Sequence, residues 1–259
     1  MYRLYFAIVV SYLCVAPALW ADDPILTPYI TFGSGSRTEC VELEKTRGMI
    51  DLQKPFTVEL WTRWDADVVD KPHYLAGDEA WPGMSDKVLV AALSGWVVRT
   101  TKLKDADKYA IEFNVAASAR GSREWLSVAT SYQRVESKVW QHIAICRTSK
   151  ELWVFWNGKP AARQSLVGIE LHSSPSNVFL GVRKHAWLDR EFVGDIRAFR
   201  ASSKARYGPK FMPLAFRETD DDTLLLLDLS GAEDAIVPDI SGHGRNGTII
   251  GAKLVGAKK

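Results

Sequence analysis

Apolar and polar residues alternate over most of the chain between residues 30 and 230, in short runs separated by Gly, Pro, Asn, Asp or Ser. Alternation with a period of two is typical of a β-strand that has one face in a protein core. In Phe56–Trp64 the residues Phe56, Val58, Leu60 and Trp64 share one face, so we expect a half-buried strand with Val58 and Leu60 in the core. The same reasoning predicts strands at Cys40–Leu43, Lys87–Leu93, Tyr109–Val115, Trp125–Ala129, Trp140–Arg147, Glu151–Trp156, Asn177–Gly181, Phe192–Ala201 and Leu224–Asp228.

The turn signals also favour an all-β protein. Asn157-Gly158 follows the predicted strand Glu151–Trp156, and Asn-Gly indicates a tight hairpin because both turn positions need a positive φ. The best place for a short helix is Ser202–Tyr207. Many short strands with spaced turns predict a sandwich or a barrel.

Composition narrows the class of protein further. Of the 259 residues, 47% are apolar and 25% are charged, a balance that excludes a disordered chain and allows a large core. The net charge of +2 does not indicate a nucleic-acid partner. The length suits one β-sandwich domain, which often reaches ~200–250 residues.

The first 21 residues have the layout of a secretory signal peptide. Arg3 supplies the positive start, an apolar run extends from Leu4 to Val15, and small residues allow cleavage after Ala18 or Ala21. The apolar run is short for a transmembrane helix, and a membrane anchor is the alternative. We expect an exported mature protein without a membrane span, secreted, periplasmic or at the cell surface.

Cleavage would leave two cysteines, Cys40 and Cys146, both in strand-like runs. An oxidising compartment permits one disulfide between them, and two buried free thiols are the alternative. The sequence does not decide between these because a disulfide depends on the distance between the two Cα atoms.

Four stretches together carry a family resemblance. They are Phe56–Trp61, Trp140–Ile145 with Leu152–Lys159, Val178–Gly181 with Phe192–Arg200, and Ala205–Tyr207 with Phe211–Pro213. In this order and spacing they resemble the laminin G-like and pentraxin-like domains of the concanavalin A-like lectin/glucanase superfamily, of the secreted bacterial type. The resemblance implies an all-β, two-sheet antiparallel jelly-roll sandwich.

The same resemblance suggests the domain organisation. A single laminin G-like domain would span residues 22–259, behind the signal peptide at 1–21. The tail, residues 218–259, contains Leu224–Asp228 and Asp239–Gly247, which resemble a pattern that usually opens such domains. It is either a closing segment of the same sandwich or a remnant of a second copy. We favour the first, because so short a segment cannot build a core of its own.

Catalysis is the less favoured class of function. Glucanases that share this fold carry Glu-x-Asp on one strand, which points two carboxylates to one face. Here Glu59 stands alone on its strand, and the acidic run Glu218–Asp222 is typical of a solvated loop. We expect a non-catalytic, lectin-like module that binds carbohydrate or another extracellular ligand. A structural or adhesion protein that binds another protein is the alternative, and a glycoside hydrolase with unusual carboxylates ranks third.

Pentraxins hold calcium just after the position that matches Val178–Gly181. This chain has Arg183 and Lys184 there, and two cations would repel a divalent metal. Asp239 remains a candidate ligand for a structural calcium, and an Asx-turn is its alternative role. His142, in the middle of a predicted strand, is expected to be packed and hydrogen-bonded.

A sugar site needs a solvent-facing aromatic ring beside polar groups. Five residues in loops or at strand ends fit that requirement as ligand-binding candidates: Trp187, Arg183, His185, Trp81 and Trp125. Further aromatic residues in such positions are Tyr74, Trp96 and Tyr132. Burial in the sandwich is expected for Trp61, Trp140, Trp153 and Phe179.

Overall fold

A computed structural model describes residues 28–33, 39–64, 73–77, 94–103, 108–119, 122–182, 192–208, 211 and 218–256. Within these ranges the chain forms two antiparallel β-sheets that pack face to face, which confirms the predicted all-β jelly-roll sandwich. One 3-10 turn lies in the described ranges, at Leu229–Gly231, and Asp228 caps its start. None of the helices in the described ranges has the length and apolar character to cross a membrane.

Sheet one has eight strands in the described ranges, in the spatial order β11-β10-β9-β3-β14-β1-β18, with β15 paired to β14. Strands are numbered in chain order across both sheets. Those of sheet one are β1 (Tyr29–Phe32), β3 (Phe56–Trp64), β9 (Gln141–Arg147), β10 (Glu151–Trp156), β11 (Lys159–Ser165), β14 (Gly194–Ser202), β15 (Thr223–Leu226) and β18 (Lys253–Val255).

Sheet two has ten strands in the same ranges, in the order β12-β6-β5-β4-β13-β2-β17-β16, with β7 and β8 paired to β6. They are β2 (Cys40–Leu43), β4 (His73–Gly77), β5 (Trp96–Lys102), β6 (Lys108–Ala119), β7 (Ser122–Ala129), β8 (Gln133–Arg134), β12 (Ile169–Leu171), β13 (Val178–Leu180), β16 (Ile236–Val237) and β17 (Gly247–Ile250). The predicted strand Lys87–Leu93 lies outside the described residues.

The core fills the space between the two sheets. Val58 and Leu60 point into it and are fully buried, as predicted. Trp96 and Tyr74, which the sequence placed among the aromatic candidates for exposure, are fully buried as well. Both lie on strands of sheet two that the alternation pattern did not predict, β5 and β4.

Strand β3 differs from the expectation of a half-buried strand. Eight of its nine residues are buried, including Thr57, Glu59 and Trp61 on the face that points away from the core. The reason is its position: β3 pairs with β9 on one side and with β14 on the other, and further side chains cover its outer face. We call the face of each sheet that points away from the other sheet its outer face.

The predicted helix at Ser202–Tyr207 is wrong. Strand β14 continues to Ser202, and residues 203–208 then run without helical structure across the outer face of sheet one. We call residues 203–208 together with Phe211 the strap. Thr57 holds it in place, because its Oγ1 donates to the carbonyl oxygen of Lys204 at 2.8 Å and accepts from the backbone N–H of Arg206 at 2.9 Å.

The tail adds strands to both sheets. Strand β17 pairs with β2 in sheet two, and β18 pairs with β1 in sheet one. Cys40 on β2 and Cys146 on β9 are both buried and form no disulfide, and they belong to different sheets. Of the two alternatives, the structure therefore shows two buried thiols without a disulfide between them.

Candidate functional site

Trp125 is the one predicted ligand-binding residue that lies within the described part of the chain. Trp81, Arg183, His185 and Trp187 fall outside the described residues. Trp125 is half-buried on the outer face of β7, directly opposite Ala116 of β6. Ala116 is itself fully buried on this face. The indole Nε1 is enclosed and has no hydrogen-bond partner among the described residues.

Polar groups flank Trp125 on the same face. Arg123 and Ser127 occupy the alternate positions of β7, and they pair with Ser118 and Asn114 of β6. His172 Nε2 lies 2.7 Å from Ser118 Oγ. Burial and the nearby charge of Arg123 lower the pKa of His172 from its ordinary value of 6.5, so its ring is neutral at pH 7. Trp125 thus has hydroxyl, imidazole and guanidinium groups around it.

An ion pair lies further along the same face. Arg99 of β5 donates from Nε to Glu112 Oε2 of β6 at 2.7 Å, and Thr101 donates to the other carboxylate oxygen at 3.3 Å. Glu112 is therefore satisfied by protein donors. A second carboxylate lies on this face, because Glu170 of β12 is directly opposite Ser118 and its charge acts on His172.

The outer face of sheet one carries a group of arginines and aromatic rings that the sequence did not single out. Arg197 lies 4.4 Å from the ring centroids of both Trp61 and Trp140, and Arg63 lies 4.6 Å from Trp140 and 4.7 Å from Tyr29. We call these five residues the arginine–aromatic cluster. Distances below ~6 Å place each cation within reach of the ring quadrupole.

Next to this cluster, the carboxylate of Glu59 is fully buried and receives three groups. Arg200 Nε donates to Oε1 at 2.7 Å, His142 Nε2 lies 3.0 Å from Oε2, and the Tyr207 hydroxyl donates to Oε2. Because a carboxylate only accepts, the Nε2 of His142 must carry the hydrogen. Arg200 Nη2 also donates to the Tyr207 oxygen at 3.0 Å.

Charge and burial act in opposite directions on Glu59. Burial alone would raise the pKa of its carboxyl, but the hydrogen bond and charge of His142, with Arg200 and Tyr207, outweigh burial and lower that pKa below 4.5. Burial and the carboxylate of Glu59 raise the pKa of Tyr207 well above its ordinary value. At neutral pH, Glu59 is therefore ionised and Tyr207 carries its proton.

The strap closes over this group. The rings of Tyr207 and Phe211 stack with centroids 3.6 Å apart, and Phe211 packs edge-on against His142 and Phe155. His142 is thus packed and hydrogen-bonded, as predicted. Glu59 lies beneath the strap, so its role in the described structure is to hold β3, β9, β14 and the strap together.

The sequence pattern contained a partial signal for this face. Alternation along β3 puts Glu59, Trp61 and Arg63 on one side, and a strand with one solvated face would expose all three.

Trp153, expected in the core, is half-buried near the edge of sheet one, where Arg163 lies 5.4 Å from its ring centroid. Trp61, Trp140 and Phe179 are buried as expected.

Asp239 organises the loop that precedes β17. Its Oδ1 accepts from the backbone N–H groups of Leu226 at 3.1 Å and Ser241 at 3.0 Å, and its Oδ2 accepts from Ser241 Oγ at 2.9 Å and the Arg245 N–H at 3.0 Å. The bond to the Ser241 N–H is the Asx-turn alternative. In the described ranges no three His, Cys, Asp or Glu side chains lie close enough together to hold a metal ion.

Comparison with known families identifies the class of protein. A laminin G-type family model, described as the concanavalin A-like lectin/glucanases superfamily, matches residues 35–209. The chain therefore belongs to this superfamily. Among curated proteins there is no significant sequence match.

Solved structures with similarity to the chain have low sequence identity to it. They include the enzymatically active domain of bacteriophage CBA120 tailspike protein 2, with 14% identity and a TM-score of 0.44 over 69% of this chain and 28% of that one. Domains LG4-5 of the mouse laminin alpha1 chain have 13% identity and a TM-score of 0.43 over 74% and 48% of the two chains. The botulinum neurotoxin serotype D ligand-binding domain, solved in complex with N-acetylneuraminic acid, has 14% identity and a TM-score of 0.44 over 66% and 38%. This chain spans less than half the length of each of these three.

Proposed function

We propose that this protein is a non-catalytic module that binds carbohydrate, with the binding surface on the outer face of sheet two around Trp125. Membership of the lectin/glucanase superfamily supports a sugar ligand without specifying one, because one fold carries many activities. The observation that carries the proposal is the half-buried Trp125 ring on the same face as the polar Arg123, His172 and Glu170.

Each part of this surface suits one part of a sugar. A flat indole ring packs against the C–H face of a pyranose, and the neighbouring hydroxyl, imidazole and guanidinium groups can hydrogen-bond its hydroxyls. The neutral ring of His172 supports a ligand without a strong charge.

A glycan array with the mature protein, followed by titration calorimetry on the glycans retained, tests the proposal. Trp125→Ala should lower the affinity about tenfold or more, because a central aromatic contact is typically the largest single contribution. Trp153→Ala is the matched control: it removes a half-buried tryptophan from the other sheet and should change affinity by no more than about twofold.

Two results would contradict the proposal. One is full glycan affinity in the Trp125→Ala protein. The other is binding that a chelator abolishes, since the surface around Trp125 relies on side-chain groups and not on calcium. If the protein binds to no glycan on the array, the result favours the alternative of a protein-binding or adhesion module.

We also propose that the protein is exported, with cleavage after Ala18 or Ala21. The supporting observation is the order of a positive residue, an apolar run and a small-residue exit in the first 21 residues. Intact-mass measurement of protein recovered from the periplasm or medium tests this. A recovered chain that still begins at Met1 would overturn it.

A further inference from the structure

We propose that the arginine–aromatic cluster is a second ligand site, in which Arg63 binds the sulfate or carboxylate group of an acidic polysaccharide. This site lies on the outer face of sheet one, whereas Trp125 lies on sheet two. The inference therefore goes beyond the proposed function, and each site can fail without the other.

Arg63 is held in a fixed position by three contacts. Its guanidinium carbon lies 4.7 Å from the ring centroid of Tyr29 and 4.6 Å from that of Trp140, and these two rings meet at 70°. Its Nε donates to Asp195 Oδ2 at 2.5 Å. The guanidinium thus lies in a corner between two rings, with one edge anchored. A side chain held in this way loses little freedom when it binds a ligand.

The other edge of Arg63 is available. The hydrogen bond to Asp195 uses Nε, and the two terminal Nη nitrogens make no hydrogen bond to any described residue. The side chain is 24% exposed. Two neighbouring N–H donors in one plane match two oxygens of a sulfate or a carboxylate, and such paired, charge-assisted bonds are the strong ones.

The charges around Arg63 favour an anion. Arg197 belongs to the same cluster, and Lys253 lies in the same row of the outer face, through the pairs Lys253–Thr31, Thr31–Asp195 and Asp195–Arg63. Among the described side chains of this cluster and row, Arg63, Arg197 and Lys253 are positive and Asp195 is negative. A polymer with repeated negative charges can meet both Arg63 and Lys253.

The half-exposed Tyr29 ring indicates a sugar and not a free anion. It lies against the guanidinium, so an anionic group on the Nη edge brings the body of the ligand to the edge of the ring. A sulfated or uronic sugar has both an oxyanion and a C–H face for such a contact. A nucleic acid is disfavoured because the whole chain has a net charge of only +2.

Binding of dextran sulfate, carboxymethyl dextran and uncharged dextran to the full-length purified protein tests this site. The two anionic polymers should bind, with affinity that falls as NaCl rises, and the uncharged polymer should not. The Arg63→Gln substitution should weaken binding about tenfold or more, because it removes the charge and the paired donors. The Arg63→Lys substitution should also weaken binding, because lysine keeps the charge but lacks the paired donors.

Arg163→Gln is the matched control. Arg163 belongs to the same sheet, lies 5.4 Å from the Trp153 centroid and pairs with Glu151 at 3.7 Å, so its replacement removes the same charge from a similar setting. It should change affinity by no more than about twofold, the small effect of removing one remote charge. Equal losses from Arg63→Gln and Arg163→Gln would mean diffuse charge attraction and would overturn the site.

Two further experiments cover a variant that does not fold and nucleic acid as the alternative ligand. If Arg63→Gln fails to fold, as judged by near-ultraviolet circular dichroism, Lys253→Gln replaces it. That change removes the second cation that the polymer meets in the same row and should weaken binding by more than Arg163→Gln, so unchanged binding would overturn the proposal. Equal affinity for a single-stranded dT oligonucleotide and for dextran sulfate would also overturn an assignment to acidic glycans.

Discussion

Glu59 Oε2 lies 3.0 Å from His142 Nε2, and neither side chain is exposed. The two residues come from neighbouring strands and are 83 positions apart in the chain. Arg200 brings a positive charge to the other carboxylate oxygen at 2.7 Å. A buried charge is tolerated when every partner is present, and the loss of one partner leaves the others uncompensated.

Replacement of Glu59 by glutamine should therefore destabilise the protein strongly. Glutamine keeps the shape but leaves Arg200 without its carboxylate, and breaking a buried pair costs about 3–5 kcal/mol. Urea denaturation at pH 7 measures the change. Glu151→Gln is the control, because the Glu151–Arg163 pair is largely exposed and contributes about 0–1 kcal/mol. Equal effects of the two substitutions would show that the buried contacts of Glu59 do not stabilise the fold.

Acid should weaken the fold through the same carboxyl. The pKa of Glu59 is lowered in the folded protein, so its contribution to stability is complete above its ordinary value of 4.5 and is lost as pH falls through the lowered folded value. Denaturation midpoints between pH 7 and pH 3 should fall more steeply for the natural protein than for Glu59→Gln. Hydrogen bonds from Arg206 and Lys204 also lower the pKa of Asp220, but that contribution is common to both proteins and cancels in the comparison. Identical pH profiles would contradict the lowered pKa of Glu59.

Leu60→Ala should cost about 2–5 kcal/mol, because it removes a fully buried side chain and leaves a cavity between the sheets. Val167→Ala provides the comparison: Val167 is 80% exposed, so its truncation should change stability by no more than about 0.5 kcal/mol. Both changes in the free energy of unfolding are obtained from urea denaturation midpoints, provided that the m-value is the same for all the proteins. A Leu60→Ala midpoint equal to that of the natural protein would mean that β3 turns its other face to the core.

Asp239→Asn should destabilise the loop before β17 by about 1.5–3 kcal/mol, because three backbone N–H groups and the Ser241 hydroxyl donate to its charged carboxylate. Asp234→Asn is the matched substitution at an exposed carboxyl and should have little effect. We expect EDTA to leave the melting temperature of the natural protein unchanged, since both Asp239 oxygens are engaged by protein donors. A lower melting temperature in EDTA would instead support the structural calcium.

Local sequence was sufficient for much of the strand pattern. Cys40–Leu43, Phe56–Trp64 and Glu151–Trp156 have the predicted bounds, because alternation and turn residues act over a few neighbouring positions. Asn157 and Gly158 have φ values of 51° and 75°, as the hairpin signal requires. The jelly-roll sandwich followed from the family resemblance, which the family model confirms over residues 35–209.

Tertiary structure alone decided the outer faces of the sheets. Alternation along β3 correctly places Glu59 and Arg63 away from the core, but whether that face meets water depends on residues far along the chain. Tyr207 of the strap, 148 positions from Glu59, covers that carboxylate, and Trp140 contacts Arg63. The same distant contacts hold residues 203–208 extended where local preference favoured a helix. The hydrophobic period and the secondary-structure propensities depend only on residues that are close in sequence. The burial of a charge depends instead on which strands pair and on which side chains pack over them.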